Sequence, residues 1–232
     1  MRIKLESLLT GARKAQGAVI IIDVYRAFTT AAVAFSREAE KIIMVAGIAE
    51  ALRLRKRGVG QLCMGEVEGI KPEEFDFGNS PYELSQAQVK GKTIIQSTRA
   101  GTSGVSAAKG AEAIYAASFV NAGATARSVL RGSPPLVTIV AMGWNGKERS
   151  DEDELCALYI RNLLEGRQPD KECVRKLVLV GGHSQKFGDP ALPHFHPRDR
   201  DIALQINAFD FAIRVKRERK LLVARPETPG AK

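Results

Sequence analysis

The sequence predicts an α/β fold: a three-layer α/β/α sandwich with a mainly parallel β-sheet and helices on both faces. Two observations carry this prediction. Short apolar runs alternate with longer segments of helical periodicity along most of the chain. The runs are almost continuously hydrophobic, which is typical of parallel strands that are buried on both faces.

The strands are predicted where the apolar runs are rich in Ile, Val and Leu. They are residues 18–23, 41–45, 61–64, 92–96, 113–116, 136–141 and 176–180. Helices are predicted between them, at residues 27–37, 47–57, 100–109, 119–131 and 152–165. The segment 47–57 illustrates the pattern, because Ile48, Leu52 and Leu54 lie towards one side and its basic residues on the other.

A single domain over residues 1–232 is predicted, because no long linker rich in Gly, Ser or Pro divides the chain and no internal repeat is evident. Hydrophobic residues make up 44% and charged residues 26% of the sequence. These fractions are ordinary for a globular protein and differ from the polar bias of disordered chains.

The formal net charge is +9, from 35 basic and 26 acidic side chains. Residues 167–232 carry 14 basic and 8 acidic side chains, which is most of the excess. Much of it lies in Arg214–Lys220, which is interpreted as a solvated helix end. Nucleic acid is not the expected partner, because this run lacks interleaved aromatic residues and matches no nucleic-acid-binding motif.

A cytoplasmic location is expected. Cys63, Cys156 and Cys173 are odd in number and form no C-x-x-C pair, so buried thiols in a reducing compartment are favoured. No apolar run approaches the roughly 20 residues that a transmembrane helix needs, and no signal-peptide pattern is present, so no membrane contact is expected. Assembly into a homo-oligomer is left open.

The first candidate site residues follow the strand at residues 18–23, because ligands of open α/β sheets bind beyond the carboxyl ends of strands. Asp23 can hold a cation, and Arg26 can form paired hydrogen bonds to an oxyanion. Thr29 and Thr30 lie in the first turns of the following helix, where backbone N–H groups favour anions. In the alternative interpretation, Asp23 only caps the helix and Arg26 pairs with a surface acid.

Glu66 follows the strand at residues 61–64 and lies between Gly65 and Gly69, which free the backbone to present its carboxylate to a cation. Further on, Asn79 or Ser80 is a natural N-cap with Pro81 as the first helical residue. Capping is the favoured interpretation of this segment, and it still directs a helix N-terminus towards the same end of the sheet.

A third loop joins the strand at residues 92–96 to a helix of small residues. Ser97, Thr98, Arg99, Gly101 and Thr102 supply hydroxyl, guanidinium and backbone donors, and none adds negative charge. They are predicted to cradle an anion. The loop lacks the spacing of a Walker A motif.

The fourth loop leads into the acidic segment Asp151–Glu154. Ser150 and Asp153 fit a capping box. A carboxylate here could also complete a metal site with Asp23 and Glu66. Together the carboxylates Asp23, Glu66 and Asp153 and the donors of the other loops suit Mg²⁺ held by a few carboxylates and by phosphate oxygens, which predicts phosphate-ester chemistry.

The spacing of the candidate residues excludes two other classes of phosphatase. A haloacid-dehalogenase phosphatase requires a second Asp two residues after its nucleophile, where this chain has Tyr25. No cysteine is followed six residues later by the arginine of a cysteine phosphatase. His194 and His196 lie in a proline-rich stretch and are interpreted as loop residues rather than metal ligands or nucleophiles.

Six motifs in order resemble the 2-phosphosulfolactate phosphatase family. They are Asp23-x-x-Arg26-Ala27-x-Thr29-Thr30, Gly65-Glu66, Phe75-Asp76-x-Gly78-Asn79-Ser80-Pro81, Ser97-Thr98-x-x-Gly101-Thr102, Ser118-Phe119-x-Asn121 and Glu152-Asp153. The resemblance implies the three-layer fold, a Mg²⁺ requirement and hydrolysis of 2-phospho-3-sulfolactate to 3-sulfolactate and phosphate, a step towards coenzyme M. This chain departs from the family at Val67, where an arginine is usual, and at Ala100, where an asparagine is frequent.

The resulting hypothesis is metal-assisted hydrolysis of a small anionic phosphate ester. Asp23, Glu66 and Asp153 would hold Mg²⁺ directly or through water, and Arg26, Arg99 and the hydroxyl groups would stabilise the transferring phosphoryl group. Asp23 as a covalent nucleophile is the less favoured mechanism. The alternatives are a phosphatase for another small phosphorylated acid and a non-catalytic module that binds an anion or nucleic acid.

Overall fold

The computed structural model describes residues 1–228, which form nine strands and nine α-helices within that range. The strands are β1 (Arg2–Ser7), β2 (Gly17–Ile22), β3 (Lys41–Val45), β4 (Leu62–Gly65), β5 (Thr93–Ser97), β6 (Ala111–Ala117), β7 (Leu136–Ala141), β8 (Ala212–Glu218) and β9 (Leu221–Glu227). The α-helices are α1 (Leu8–Lys14), α2 (Ala27–Ser36), α3 (Ile48–Lys56), α4 (Pro81–Gln86), α5 (Gly101–Ala107), α6 (Ala122–Arg131), α7 (Asp151–Leu164), α8 (Lys171–Val180) and α9 (Pro197–Ala203). Short 3₁₀ turns cover Phe119–Asn121 and Gly182–Lys186.

All nine strands belong to one sheet, in the order β1-β7-β2-β6-β8-β9-β3-β5-β4. The first four strands are mutually parallel, and so are the last three. The hairpin β8–β9 joins these two blocks through antiparallel pairs with β6 and β3. The second block therefore runs opposite to the first along the hydrogen-bonded order, and the predicted α/β class with a mainly parallel sheet is confirmed.

The core divides along the sheet because successive strand residues point to opposite faces. In β2, Val19 and Ile21 belong to one apolar cluster, together with Phe28 of α2. Ile20 and Ile22 belong to a second cluster, together with Ile160 of α7. Every residue of β2 is buried, as expected for a central strand covered on both faces.

Six of the predicted strands and all five predicted helices are confirmed, with ends shifted by at most three residues. The prediction of a strand at residues 176–180 is wrong, because this run is the last part of α8. The Asp170 carboxylate caps that helix by accepting a hydrogen bond from the Cys173 N–H at 2.7 Å. Val174 and Val178, four residues apart, both pack on the core.

The interpretation of Arg214–Lys220 as a helix end is also wrong. These residues form most of β8 and the tight turn to β9, and β1 at the start of the chain was not predicted either. In β8, Ile213 and Val215 are buried, whereas the residues from Lys216 to the end of the strand are exposed. Only the first half of the strand therefore packs on the core.

Between residues 1 and 228, no helix is both long enough and apolar enough to cross a lipid bilayer.

Candidate active site

A cleft opens where the loops after β2, β4, β5 and β7 meet. It is lined by Asp23, Tyr25, Arg26, Glu66, Gly69, Asn79, Ala100, Gly143, Trp144, Asn145 and Phe195. These loops do not all follow strands that run in the same direction, because β2 and β5 belong to parallel blocks of opposite direction.

Asp23 lies at the carboxyl end of β2 and is 5% exposed. Its Oδ1 accepts a hydrogen bond at 2.9 Å from the N–H of Ala27, the first residue of α2, although the N-cap position of this helix is Arg26. Its Oδ2 lies 2.8 Å from the position that a Cβ would take on Gly101, which explains why glycine follows β5 here. Burial raises the Asp23 pKa to about 7, against hydrogen bonds from Ala27 and Gly101 that lower it.

Asp153, in the first turn of α7, is 2% exposed and does not form the predicted capping box with Ser150. Its Oδ1 instead accepts from the Val24 N–H at 2.7 Å, and its Oδ2 accepts from the Gly143 N–H at 2.8 Å. The carboxylate thus connects the loops after β2 and β7. Burial, followed by the charges of Glu152 and Asp23, raises the Asp153 pKa well above its usual range.

Glu152 is the acidic neighbour that residue-by-residue reasoning did not select, although it appears in the Glu152-Asp153 motif. It is 4% exposed. Burial raises its pKa to about 7, with a further contribution from the Asp23 charge. Asp23, Glu152 and Asp153 therefore form a buried acidic group in which each charge makes the others harder to ionise.

Glu66 connects two other loops at the cleft. Its Oε2 accepts from the Gly69 N–H at 2.8 Å, and its Oε1 accepts from the Arg99 N–H at 2.8 Å. Its charge also raises the Asp23 pKa. Glu66 lines the same cleft as Asp23, and its carboxylate holds the turn that follows β4 against the loop that follows β5.

Arg26 lines the cleft but is already engaged by the protein. Its Nη1 donates to the Asp199 carboxylate at 2.8 Å and to the His194 carbonyl at 2.7 Å, and its Nη2 donates to the Gly69 carbonyl at 3.2 Å. Its guanidinium also lies over the Phe195 ring, 4.8 Å from the centroid. The alternative interpretation of Arg26 as an ion-pair partner is realised, but the acid is fully buried rather than on the surface.

The four threonines of the predicted anion pocket turn towards the backbone. The Thr29 hydroxyl donates to the Val24 carbonyl at 2.8 Å, and the Thr30 hydroxyl donates to the Arg26 carbonyl at 2.9 Å. Thr98 and Thr102 bond to each other, since the Thr98 N–H donates to Thr102 Oγ1 at 2.8 Å and the Thr102 N–H to Thr98 Oγ1 at 3.1 Å. These side chains brace the loops, and none lines the cleft.

Asn79 and Ser80 divide the two predicted roles between them. Ser80 is the N-cap of α4, as expected, because its Oγ accepts from the Glu83 N–H at 3.1 Å. Asn79 lines the cleft and is 6% exposed. Within the described chain its Oδ1 is buried without a hydrogen-bond partner, so it remains available to a ligand.

Arg99 and Ser97 line a separate pocket on the other side of Glu66. This pocket also includes Gly47, Val67 and Thr98. The Arg99 side chain is exposed, so its guanidinium is not part of the cleft around Asp23. Of the two departures from the family pattern, Val67 lies in this second pocket and Ala100 lines the cleft itself.

The segment after α8 supplies cleft residues that sequence reasoning missed. Phe195, which lies between the two histidines interpreted as loop residues, is 5% exposed and forms part of the cleft wall. Trp144, in the loop after β7, also lines the cleft. Asp199 is completely buried and is paired with Arg26. The one signal for Asp199 was a carboxylate in a stretch rich in arginine, which does not identify a partner.

The donor set around Asp23 suits a hard divalent cation, although it is not a preformed cage. Across residues 1–228, no three His, Cys, Asp or Glu side chains converge as metal ligands. Mg²⁺ often uses one or two carboxylates and fills its other positions with water and substrate oxygens. The buried acidic group of Asp23, Glu152 and Asp153, whose pKa values are raised mainly by burial and further by neighbouring carboxylates, fits such a cation.

Comparisons with known proteins agree with the motifs. The model of a family described as 2-phosphosulpholactate phosphatase matches residues 5–180. A protein of Bacillus subtilis described as "Probable 2-phosphosulfolactate phosphatase" is 31% identical over 203 residues, 86% of this chain and 87% of its own length. Proteins with the same description from Carboxydothermus hydrogenoformans and Thermotoga petrophila are 42% and 37% identical over 147 and 144 residues.

The extent of these matches differs. The aligned region covers 63% of this chain and 60% of the Carboxydothermus protein, and 62% of this chain and 61% of the Thermotoga protein. The chain thus spans about 60% of the length of these two relatives and most of the Bacillus protein. Since the family model covers well over half of the sequence, including the loops after β2, β4, β5 and β7 that line the cleft, this chain belongs to the 2-phosphosulfolactate phosphatase family.

Proposed function

We propose that this protein is a Mg²⁺-dependent phosphatase that hydrolyses 2-phospho-3-sulfolactate to 3-sulfolactate and phosphate, a step towards coenzyme M. The observation that carries the proposal is the buried Asp23 carboxylate, which lies in the cleft with a pKa raised to about 7. Strongly shifted carboxylates in clefts are typical of functional sites. Family membership supplies the reaction type.

The charges of the cleft support the metal requirement. Asp23, Glu152 and Asp153 are buried together, and the guanidinium of Arg26 is already neutralised by Asp199. A phosphate ester would bring further negative charge into this space, which is costly without additional positive charge. Mg²⁺ bound at Asp23, directly or through water at Glu66 and Asp153, would supply that charge and polarise the phosphoryl oxygens.

The chain's own groups have complementary tasks in this proposal. Arg26 presents its remaining N–H groups to the phosphoryl oxygens and stabilises charge that develops during transfer. Asn79, with its unpartnered amide oxygen at the cleft wall, orients a hydroxyl or water donor. Glu66 and Asp153 hold the surrounding loops in place through their bonds to backbone N–H groups.

Val67 and Ala100, the two departures from the family pattern, affect the binding of the sulfonate or carboxylate group of the substrate. Ala100 offers no amide at the cleft, and Val67 offers no cation in the adjoining pocket with Arg99. Another small phosphorylated acid is therefore the second candidate substrate. A panel of phosphorylated carboxylic and sulfonic acids distinguishes the two, because the sulfonate should give the highest kcat/KM if 2-phospho-3-sulfolactate is the substrate.

The test is release of inorganic phosphate from this panel, with Mg²⁺ and with EDTA, by the wild type and Asp23→Asn. We expect activity only with Mg²⁺ and at least a 100-fold lower kcat for Asp23→Asn, since the amide cannot carry the negative charge that holds the cation. Activity that survives both EDTA and this substitution would contradict the metal role. No turnover of any panel member would contradict the phosphatase assignment.

We further propose that residues 1–232 form a single domain with a three-layer arrangement. The continuous sheet and the two apolar clusters on either side of β2 support this. A cytoplasmic location is proposed on the three free thiols of Cys63, Cys156 and Cys173.

A further inference from the structure

Asp199, in α9, lies beyond the residues that the family model matches and has no solvent exposure. Its Oδ2 accepts from Arg26 Nη1 at 2.8 Å. Its Oδ1 accepts from the Ser80 hydroxyl at 2.6 Å and from the Tyr82 N–H at 3.0 Å. One buried carboxylate therefore connects three parts of the chain: the loop after β2, the start of α4 and α9.

Two of these connections lead directly to the cleft. Arg26 lines it, and so does Asn79, which immediately precedes Ser80. Asp199 itself does not line the cleft. Asp199 thus binds one cleft-lining residue, Arg26, directly, and it binds Ser80, the chain neighbour of a second one, Asn79.

The Arg26 guanidinium has five N–H groups, and three are directed to protein acceptors. The His194 and Gly69 carbonyls are neutral, so Asp199 is the charged partner among them. Because the guanidinium is planar, the Nη1–Asp199 contact and the Phe195 ring together set the direction in which the remaining N–H groups point.

We propose that Asp199 is a positioning residue that orients Arg26 towards the phosphoryl group of the bound ester and, through Ser80, holds Asn79 at the cleft wall. The proposal deepens the proposed function and rests on it. A purely structural Asp199 would only compensate the buried charge of Arg26, and removing it would lower stability without changing the chemistry of the molecules that remain folded.

Asp199→Asn separates the two roles. The amide oxygen can still accept from Ser80 and Tyr82, whereas its NH₂ group faces the Arg26 Nη1 donor and cannot bind it. We expect kcat to fall about 100-fold and KM to change less than about threefold, because a displacement near 1 Å removes an interaction made in the transition state. Asp199→Glu restores the charge and should recover part of kcat.

Asp76→Asn is the matched control. Asp76 also joins an arginine to a backbone N–H, with Arg55 Nη1 at 3.0 Å and the Cys63 N–H at 2.7 Å, but it does not line the cleft. All variants are assayed well below their Tm values. Equal losses of kcat in Asp76→Asn and Asp199→Asn, or an Asp199→Asn kcat within twofold of the wild type, would overturn the proposal.

Orthovanadate binding with Mg²⁺ gives a readout that needs no turnover, since vanadate resembles the transferring phosphoryl group. We expect Asp199→Asn to weaken vanadate binding by about the same factor as kcat/KM. If the wild type releases no phosphate, the proposed function fails while this arm still tests Asp199. Vanadate affinity that is equal in both proteins, or absent in both, would overturn the positioning role.

Discussion

At the scale of single residues, most polar side chains of the site form hydrogen bonds within the protein. Thr29, Thr30, Thr98 and Thr102 complete loop hydrogen bonds, and Arg26 is paired with Asp199. These groups would otherwise be buried without partners, which costs more than one kcal/mol each on average. Asn79 differs, because within residues 1–228 its buried Oδ1 has no hydrogen-bond partner. Asp23 differs because its buried carboxylate lies close to the charge of Glu66.

The raised pKa of Asp23 predicts a pH-dependent stability. The folded state holds the proton more tightly than the unfolded state, whose value is near 3.8, so this stabilisation is present at low pH and is lost as the pH rises through about 7. Above that pH the charged carboxylate costs a few kcal/mol, about 4 at most. In metal-free protein, Asp23→Asn should therefore be increasingly more stable than the wild type between pH 5 and 8.

Urea unfolding at several pH values in EDTA measures this difference. Addition of Mg²⁺ at pH 8 serves as the control, because it should raise the wild-type unfolding free energy and leave Asp23→Asn nearly unchanged. A stability difference that does not vary with pH would show that Asp23 is not destabilised by its charge.

At the scale of elements, the hairpin β8–β9 explains why the basic run was misinterpreted. A run such as Arg214–Lys220 is compatible with a polar helix end, and its strand character depends on pairing with β6 and β9. The turn contains just Arg219 and Lys220, since Glu218 pairs with Leu221. Arg219 has φ 57°, a left-handed conformation that glycine adopts more easily.

Arg219→Gly should therefore stabilise the protein by about 0.5 kcal/mol. Relief of the left-handed backbone, worth roughly 1 kcal/mol, exceeds the entropy that glycine adds to the unfolded chain. Chemical denaturation measures the change. Arg217→Gly, two residues earlier inside β8, is the matched comparison and should destabilise by about 1 kcal/mol. Equal effects of the two substitutions would contradict the role of the turn conformation.

At the scale of the whole molecule, the C-terminal third is an integral part of the fold. β8 and β9 lie in the middle of the sheet, although they come last in the sequence. They join two parallel blocks of opposite direction, and the segment before them supplies Phe195 and Asp199 to the site. The excess positive charge of this third is carried partly by the exposed end of the hairpin, away from the cleft residues.

A chain ending at residue 180 should consequently not fold, although it contains the whole region that the family model matches. It would expose the edges of β6 and β3 and lose buried apolar residues of the hairpin such as Ile213 and Val223. Circular dichroism and size-exclusion chromatography test this. A chain ending at residue 228 retains every described element and should unfold like the wild type; a cooperative transition of the shorter chain would contradict the prediction.

The sequence by itself determined the α/β class, six of the strands and the loops that form the cleft. These features are local, since apolar runs, helix caps such as Ser80 and the polar residues after each strand are encoded within a few positions. The resemblance of six motifs also identified the family before any contact was known. Asp23, Arg26, Glu66 and Asn79 were named correctly as residues of one region.

Only the tertiary structure decided how those residues are used. Whether Arg26 faces a ligand freely depends on Asp199, which is 173 positions away in the chain. Whether Arg99 joins Asp23 depends on the course of the loop after β5, which leaves the Arg99 side chain exposed in the adjoining pocket and places the next residue, Ala100, in the cleft. Such pairings are set by packing between distant segments, and because a side chain bonds to whichever partner burial brings near, no local pattern specifies them.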